Sequence, residues 1–164
     1  MRTAPVASAA LGDDDALVES AMAVATLTHA DPVAGEACAV WCVAIDRAIN
    51  QDRLDGAWDA LPLLPPEVRE RWSRWLDEAK GHPADTFKPN GYAPRCLQAA
   101  LAAILQTPGS GLTDSIVAAV RVGDDTDTVA AVAGALLGAR WGATAIPAPG
   151  ARCCMTAGDG QPRI

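Results

Sequence analysis

Apolar residues recur along this chain at helical spacing, and polar or Pro-rich breaks separate the apolar runs. The clearest stripe is Leu97, Ala100, Leu101, Ile104 and Leu105, which follow the i, i+3, i+4, i+7, i+8 pattern of one helix face. No run shows the strict alternation of a half-buried strand. The sequence therefore predicts a single all-α domain, with helices over residues 14–27, 32–50, 67–80, 93–106, 114–122 and 128–141 and a short helical piece at 54–61.

Residues that favour helix ends support these boundaries. Asp31 followed by Pro32 is typical of an N-cap and the first helical position. Thr113 is the predicted cap of the helix over 114–122, and Asp46 and Arg47 mark the solvent side of the helix over 32–50. The chain from 148 to 164 is rich in Gly and Pro, so we expect a loose tail there.

Trp72 and Trp75 lie on the charged helix over 67–80. Two roles are open for them: a platform on which a sugar stacks, or aromatic cover for the core. The second is the more usual role of Trp on a helix.

Composition excludes several classes of function. The net charge is −7 and Lys and Arg form no cluster, which argues against a nucleic-acid surface. No stretch reaches about 18 apolar residues, so no membrane span is expected. The start of the chain, Met1–Pro5, has no apolar run long enough for a signal peptide, so none is expected. The five cysteines include no CxxC pair, and Cys38 and Cys42 share one apolar helix face, so buried thiols in a reducing cytoplasm are expected.

One segment carries candidate chemistry: Gly123–Thr128, called the acidic segment below. Its three aspartates, Asp124, Asp125 and Asp127, repel one another unless they are solvated or bridged by a cation. Helix capping accounts for one or two of them. Asp125 and Asp127 alternate in an extended loop, and Thr128 adds a hydroxyl where the next helix begins. Hard oxygen ligands of this kind favour Mg²⁺, Mn²⁺ or Ca²⁺.

Two other acidic motifs share features with this segment. An EF-hand loop that starts at Asp125 would need Gly at position 130 and Glu at position 136, where the chain has Ala and Leu. The phosphatase motif of the haloacid dehalogenase class resembles Asp125–Val129. That motif should follow a buried strand and open an α/β domain, and here it follows a helical pattern.

The acidic segment and the residues after it, up to Pro147, resemble the C-terminal signature of the ADP-ribosyl-glycohydrolases. Met1–Pro5 is similar to the end of that family's Gly-Asn-Gly…Met-Arg segment. Thr28–Pro32 resembles its Thr-His turn, and Asn90–Tyr92 resembles its Gly-aromatic turn before a long helix. Asp124 stands where many members carry Gly. The resemblance covers residues 1–147.

The resemblance implies a compact, orthogonal all-α bundle and a metal-dependent hydrolase. Such enzymes cleave the bond between ADP-ribose and an acceptor such as arginine, serine or another ADP-ribose. It implies two Mg²⁺ ions, with Mn²⁺ as an alternative. By the same resemblance, the metal ligands are Asp125, Asp127 and Thr128, the catalytic residues are Asp125 and Asp127, and the residues that face ADP-ribose are His29, Asn90, Gly91 and Tyr92.

The match breaks at the start of the chain. The family's other ligands, a Thr-Asp-Asp group, belong to an N-terminal half, and Asp13–Asp15 does not match them. We therefore expect an incomplete site, weak metal binding, little activity of this chain alone, and self-association through apolar faces left uncovered. The alternatives are a non-catalytic relative that binds ADP-ribose or only packs as a helical module, and a gene-model or cloning truncation of an ordinary enzyme.

Overall fold

The protein is described by a computed structural model over residues 3–107, 111–148 and 150. Within those residues the chain is helical and forms no strand, which confirms the all-α prediction. Three 3₁₀ helices, Gly56–Leu63, Ala84–Phe87 and Ala143–Ala145, join or follow the longer elements. The α-helices are α1 Ala4–Ala9, α2 Asp14–Thr26, α3 Pro32–Gln51, α4 Pro66–Gly81, α5 Ala93–Leu105, α6 Leu112–Arg121 and α7 Thr126–Trp141.

The helix α3 is the centre of the fold, and α1, α2, α5 and α7 all pack against it. Its small and β-branched residues leave little surface: Ala39, Val40, Val43 and Ala44 are fully buried. Alanine at such positions lets neighbouring helices approach closely.

The helices α3 and α7 run in the same direction. The indole nitrogen of Trp41 donates to the backbone oxygen of Val132 at 3.1 Å, and further along both helices Asp52 pairs with Arg140. The two contacts occur in the same order along each helix. The starts of α3 and α7 therefore lie at the same end of the bundle, and that end carries the acidic segment.

Two predicted boundaries were wrong in ways that affect the site. Helix α7 begins at Thr126, with Asp125 as its N-cap, so Asp127 and Thr128 lie in the first helical turn rather than in an extended loop. Helix α6 begins at Leu112 with Gly111 as N-cap, and Thr113 therefore lies inside the helix. The short helix α1 was not predicted at all.

The structure also decides two alternatives left open by the sequence. Trp72 is fully buried and donates to the Glu36 carboxylate at 2.6 Å, so it is a core residue and not a sugar platform. The phosphatase alternative requires a strand before Asp125, but the helix α6 stands there, and that alternative is wrong.

A surface groove of about 450 Å³ lies between α1, α3 and α7, and its walls are apolar. Ile45 and Ile49 form one side, and Ala135, Gly138 and Ala139 form the other. Ile49 is 40% exposed. The predicted self-association through apolar faces stays a prediction. No helix among the described residues combines the length and apolar content needed to cross a membrane.

Candidate metal and substrate site

The acidic segment makes a sharp turn between α6 and α7. Gly123 has φ +83° and Asp124 has φ +64°, so two consecutive residues adopt the left-handed region. Glycine enters that region freely, and Asp is among the few other residues that tolerate it. A glycine at position 124, as the resembled family signature would have it, would adopt this conformation without strain.

Asn90, which is fully buried, holds this turn through three hydrogen bonds. Its backbone N–H donates to Oδ2 of Asp124 at 2.7 Å, and its Nδ2 donates to the backbone oxygen of Gly123 at 3.0 Å. Its Oδ1 accepts from the backbone N–H of Asp125 at 2.8 Å. The segment before α5 and the acidic segment are thereby fixed to each other, although they lie more than thirty residues apart in sequence.

Asp125 occupies the N-cap of α7 without acting as a cap. An Asp at this position usually accepts a hydrogen bond from the second or third helical N–H, but the Asp125 side chain makes no such bond. Neither Asp125 nor Asp127 has a side-chain hydrogen bond or ion pair to any other described residue. Two carboxylates are therefore left free at the same helix end.

This end of the bundle carries several helix N-termini as well as the acidic segment. The helices α3, α5 and α7 all begin here, and helix N-termini carry partial positive charge and free N–H donors. Cys96, on the second turn of α5, lies beneath the segment. Burial raises the pKa of its thiol to about 11, and the negative charge of Asp125 acts in the same direction.

The four predicted substrate residues are placed differently from one another. Asn90 directs its amide at the acidic segment, whereas Gly91 and Tyr92 follow it on the surface, with Tyr92 48% exposed. His29 is exposed in the turn between α2 and α3 and shares a hydrogen bond of 2.8 Å with Thr28. Because α3 begins at the same end as α7, His29 lies at the same end of the bundle. Contact of these residues with ADP-ribose stays a prediction.

Asp125, Asp127 and Thr128 carry oxygen donors of the type that Mg²⁺ prefers, and metal binding by them stays a prediction. Mg²⁺ prefers about six oxygen ligands in octahedral array. Asp125, Asp127 and Thr128 offer two free carboxylates and one hydroxyl. No group of three or more His, Cys, Asp or Glu side chains that could hold a metal ion occurs in the part of the chain that the structure describes.

Sequence reasoning missed two residues near this end. Lys88 extends over Gly123, with its Nζ 3.1 Å from the place where a Cβ on that glycine would lie. Glu36, near the start of α3, is buried and accepts from Arg71 and Trp72 at 2.6 Å each. The signal for Glu36 was a single carboxylate within an apolar helix run. Nothing in the sequence pattern indicated the position of Lys88.

Comparison with known proteins gives matches to one family. The family model for ADP-ribosylglycohydrolase matches residues 1–157. The chain is 32% identical over 126 residues to the ADP-ribosylarginine hydrolase Tri1 of Pseudomonas putida (strain GB-1). The aligned region covers 74% of this chain and 32% of that protein. It is 30% identical over 122 residues to the ADP-ribosylarginine hydrolase Tri1 of Serratia proteamaculans (strain 568), with the same coverage.

The chain thus spans about a third of the length of these curated relatives. No solved structure matches it. The family model nevertheless covers nearly the whole sequence, and the all-helical fold agrees with it. The chain belongs to the ADP-ribosylglycohydrolase family.

Proposed function

We propose that this chain supplies the Asp125, Asp127 and Thr128 portion of a divalent-metal site that hydrolyses ADP-ribosyl bonds. ADP-ribosylated arginine is the substrate to test first, because both relatives described above are named ADP-ribosylarginine hydrolases. The observation that carries the proposal is the N-cap of α7, where an Asp occupies a capping position and leaves its carboxylate free.

The free carboxylates support metal binding over simple capping. A helix end needs its N–H groups satisfied, and Asp125 is the residue placed to do it. Thr126 donates to the backbone oxygen of Asp124 at 2.9 Å, but the amides of Asp127 and Thr128 have no partner among the described residues. The N–H donors and the Asp125 carboxylate at this helix end are therefore open to water or to a ligand from outside.

The chemistry of the reaction suits these groups. Breaking the bond at the anomeric carbon builds positive charge on the ribose, which nearby carboxylates stabilise. A bound Mg²⁺ supplies orientation of the ribose hydroxyls and a water of lowered pKa. Asp125 and Asp127 would hold the ion, and whichever carboxylate oxygen stays free of it can accept the proton of the attacking water. The helix starts suit the diphosphate.

A direct test is Mn²⁺ binding, followed by the electron paramagnetic resonance signal of the free ion. Asp125→Asn and Asp127→Asn each remove one charged ligand, and we expect each to weaken Mn²⁺ binding at least tenfold. The matched control is Asp114→Asn, because Asp114 is an exposed Asp in the first turn of α6. Equal Mn²⁺ affinity in all three variants and the unmodified chain would remove the basis of the proposal.

Activity is expected to need ligands beyond those of this chain. With three ligand groups for an ion that prefers about six, binding should be weak, and the purified chain with Mg²⁺ should release little ADP-ribose from an ADP-ribosylated arginine substrate. Rapid, Mg²⁺-dependent release by the chain alone would refute the expectation that the site is incomplete.

The incomplete ligand set also favours a second candidate, a non-catalytic module that binds ADP-ribose. Calorimetry of ADP-ribose with and without Mg²⁺ separates the two. ADP-ribose binding that strengthens with Mg²⁺ supports the hydrolase site, whereas ADP-ribose binding of equal affinity with and without Mg²⁺ supports the non-catalytic module. The absence of binding in both conditions supports a purely structural role.

A further inference from the structure

Asn90 is the residue whose contacts are least like its predicted role. It was expected to face ADP-ribose, but its side chain is fully buried and both amide atoms are engaged by the acidic segment. Its Oδ1 accepts the backbone N–H of Asp125, and its Nδ2 donates to the backbone oxygen of Gly123. The buried side chain of Asn90 therefore has a structural role at this turn that its predicted contact with ADP-ribose does not include.

These bonds explain why Asp125 does not cap its own helix. The backbone of Asp125 has φ −80° and ψ 63°, outside the extended conformation in which Asp13 and Asp31 sit when they cap α2 and α3. Both of those aspartates accept a backbone N–H of their helix at 3.0 Å. Among the described α-helices, Asp13 and Asp31 cap and Asp125 does not, and of these three only Asp125 has its N–H held by a buried amide. Asp55, at the N-cap of the 3₁₀ helix Gly56–Leu63, also makes no cap bond.

We propose that Asn90 is a positioning residue that keeps the Asp125 carboxylate out of the capping role and so available to a divalent cation. The part of this inference that concerns the cation rests on the proposed function. The part that concerns the conformation of Asp125 rests on the hydrogen bonds alone. Without Asn90, the N–H of Asp125 is released, the left-handed turn relaxes, and the carboxylate rotates onto the free N–H of Thr128 as an ordinary cap.

The experiment compares Asn90→Ala with Gln98→Ala in the full chain. Gln98 is the matched control because it is also a buried amide with two hydrogen bonds, to the backbone oxygen of Trp75 and the carboxylate of Glu78, away from the acidic segment. Both variants should lower the melting temperature. Only Asn90→Ala should weaken Mn²⁺ binding, by about 10- to 100-fold, as is usual when the residue that orients a metal ligand is lost.

A second readout does not depend on metal. Amide hydrogen exchange by NMR should show Asp125 protected in the unmodified chain and in Gln98→Ala. In Asn90→Ala the Asp125 amide should exchange at least tenfold faster, and the Thr128 amide should become protected as the carboxylate caps it. If the unmodified chain binds no Mn²⁺, the metal site fails, but this exchange pattern still decides the role of Asn90.

If Asn90→Ala does not fold, Gly123→Ala replaces it as the test variant. It disturbs the same turn from the surface, because a side chain at φ +83° is strained and meets Lys88. The same loss of Mn²⁺ affinity and the same gain of Thr128 protection are expected. The proposal is overturned if Asn90→Ala and Gln98→Ala change Mn²⁺ affinity equally, or if the Asp125 amide exchanges freely in the unmodified chain.

Discussion

Raising the pH from 8 to 10 is expected to destabilise this protein through two buried thiols. Burial raises the pKa of the Cys42 thiol to about 12 and that of Cys96 to about 11, from an ordinary value of 9.0. Cys42 is fully buried in α3, where its Sγ donates to the backbone oxygen of Thr3 at 3.4 Å, and Cys96 lies on α5 beneath the acidic segment. Ionising either thiol in the folded state would place a charge where water cannot reach it.

The sign of the effect follows from which state binds more protons. Above pH 9 the unfolded chain releases both thiol protons, whereas the folded chain keeps them. The free energy of unfolding therefore falls as the pH rises, from pH 9 to about 11 for Cys96 and to about 12 for Cys42. At pH 10 each thiol lowers the free energy of unfolding by roughly 1 kcal/mol, or about 2–3 kcal/mol for the pair.

Urea unfolding at pH 8, 9 and 10, with a reducing agent present, measures this loss. The variant is Cys42→Ala combined with Cys96→Ala, and each protein is compared with itself across the pH range. The packing lost by truncation cancels in that comparison, and titration of Lys and Tyr is common to all proteins. The control is Cys38→Ala, because Cys38 is a half-buried thiol on the same helix as Cys42.

The double variant should lose about 2–3 kcal/mol less stability between pH 8 and 10 than the unmodified chain. The control should behave like the unmodified chain. If the double variant and the unmodified chain lose the same stability over this range, the alkaline sensitivity does not come from the buried thiols, and the reasoning is wrong.

Three further predictions test other contacts. Trp41→Phe removes the hydrogen bond to Val132 that joins α3 to α7 and should lower the free energy of unfolding by about 1–2 kcal/mol in urea unfolding. Arg47→Met leaves the carboxylate of Asp46, 1% exposed, without its 2.6 Å ion pair and should cost about 3 kcal/mol, part of which a second change, Asp46→Asn, restores. Lys88→Gln removes a positive charge beside the acidic segment and should tighten Mn²⁺ binding severalfold at low salt, with a smaller effect at high salt.

The helices were predictable from sequence because helix formation depends on near neighbours. The apolar stripe over 93–106 and the cap Asp31 were enough to place α5 and α3 within one or two residues. The helix α1 was missed because six residues of Ala, Val, Ser and Pro are too short to show a periodic stripe.

Contacts between distant residues were not predictable in the same way. Asp46 was expected on the solvent side of α3, but the structure buries it and gives it the backbone N–H of Gly12 at 2.9 Å and the amide of Asn50 at 2.8 Å. Asn90 finds its partners 33 to 35 residues away. A single sequence shows which residues carry polar groups, but it does not show which other polar group each one meets.

The common direction of α3 and α7 has a practical consequence for handling the protein. The helix α7 has 16 residues and is therefore about 24 Å long, and the chain that follows Trp141 leaves from the end opposite the acidic segment. A fluorophore, an affinity handle or a surface linker attached at the last turn of α7 lies a full helix length from the aspartates. Copies immobilised through that turn would keep the acidic segment directed toward the solution.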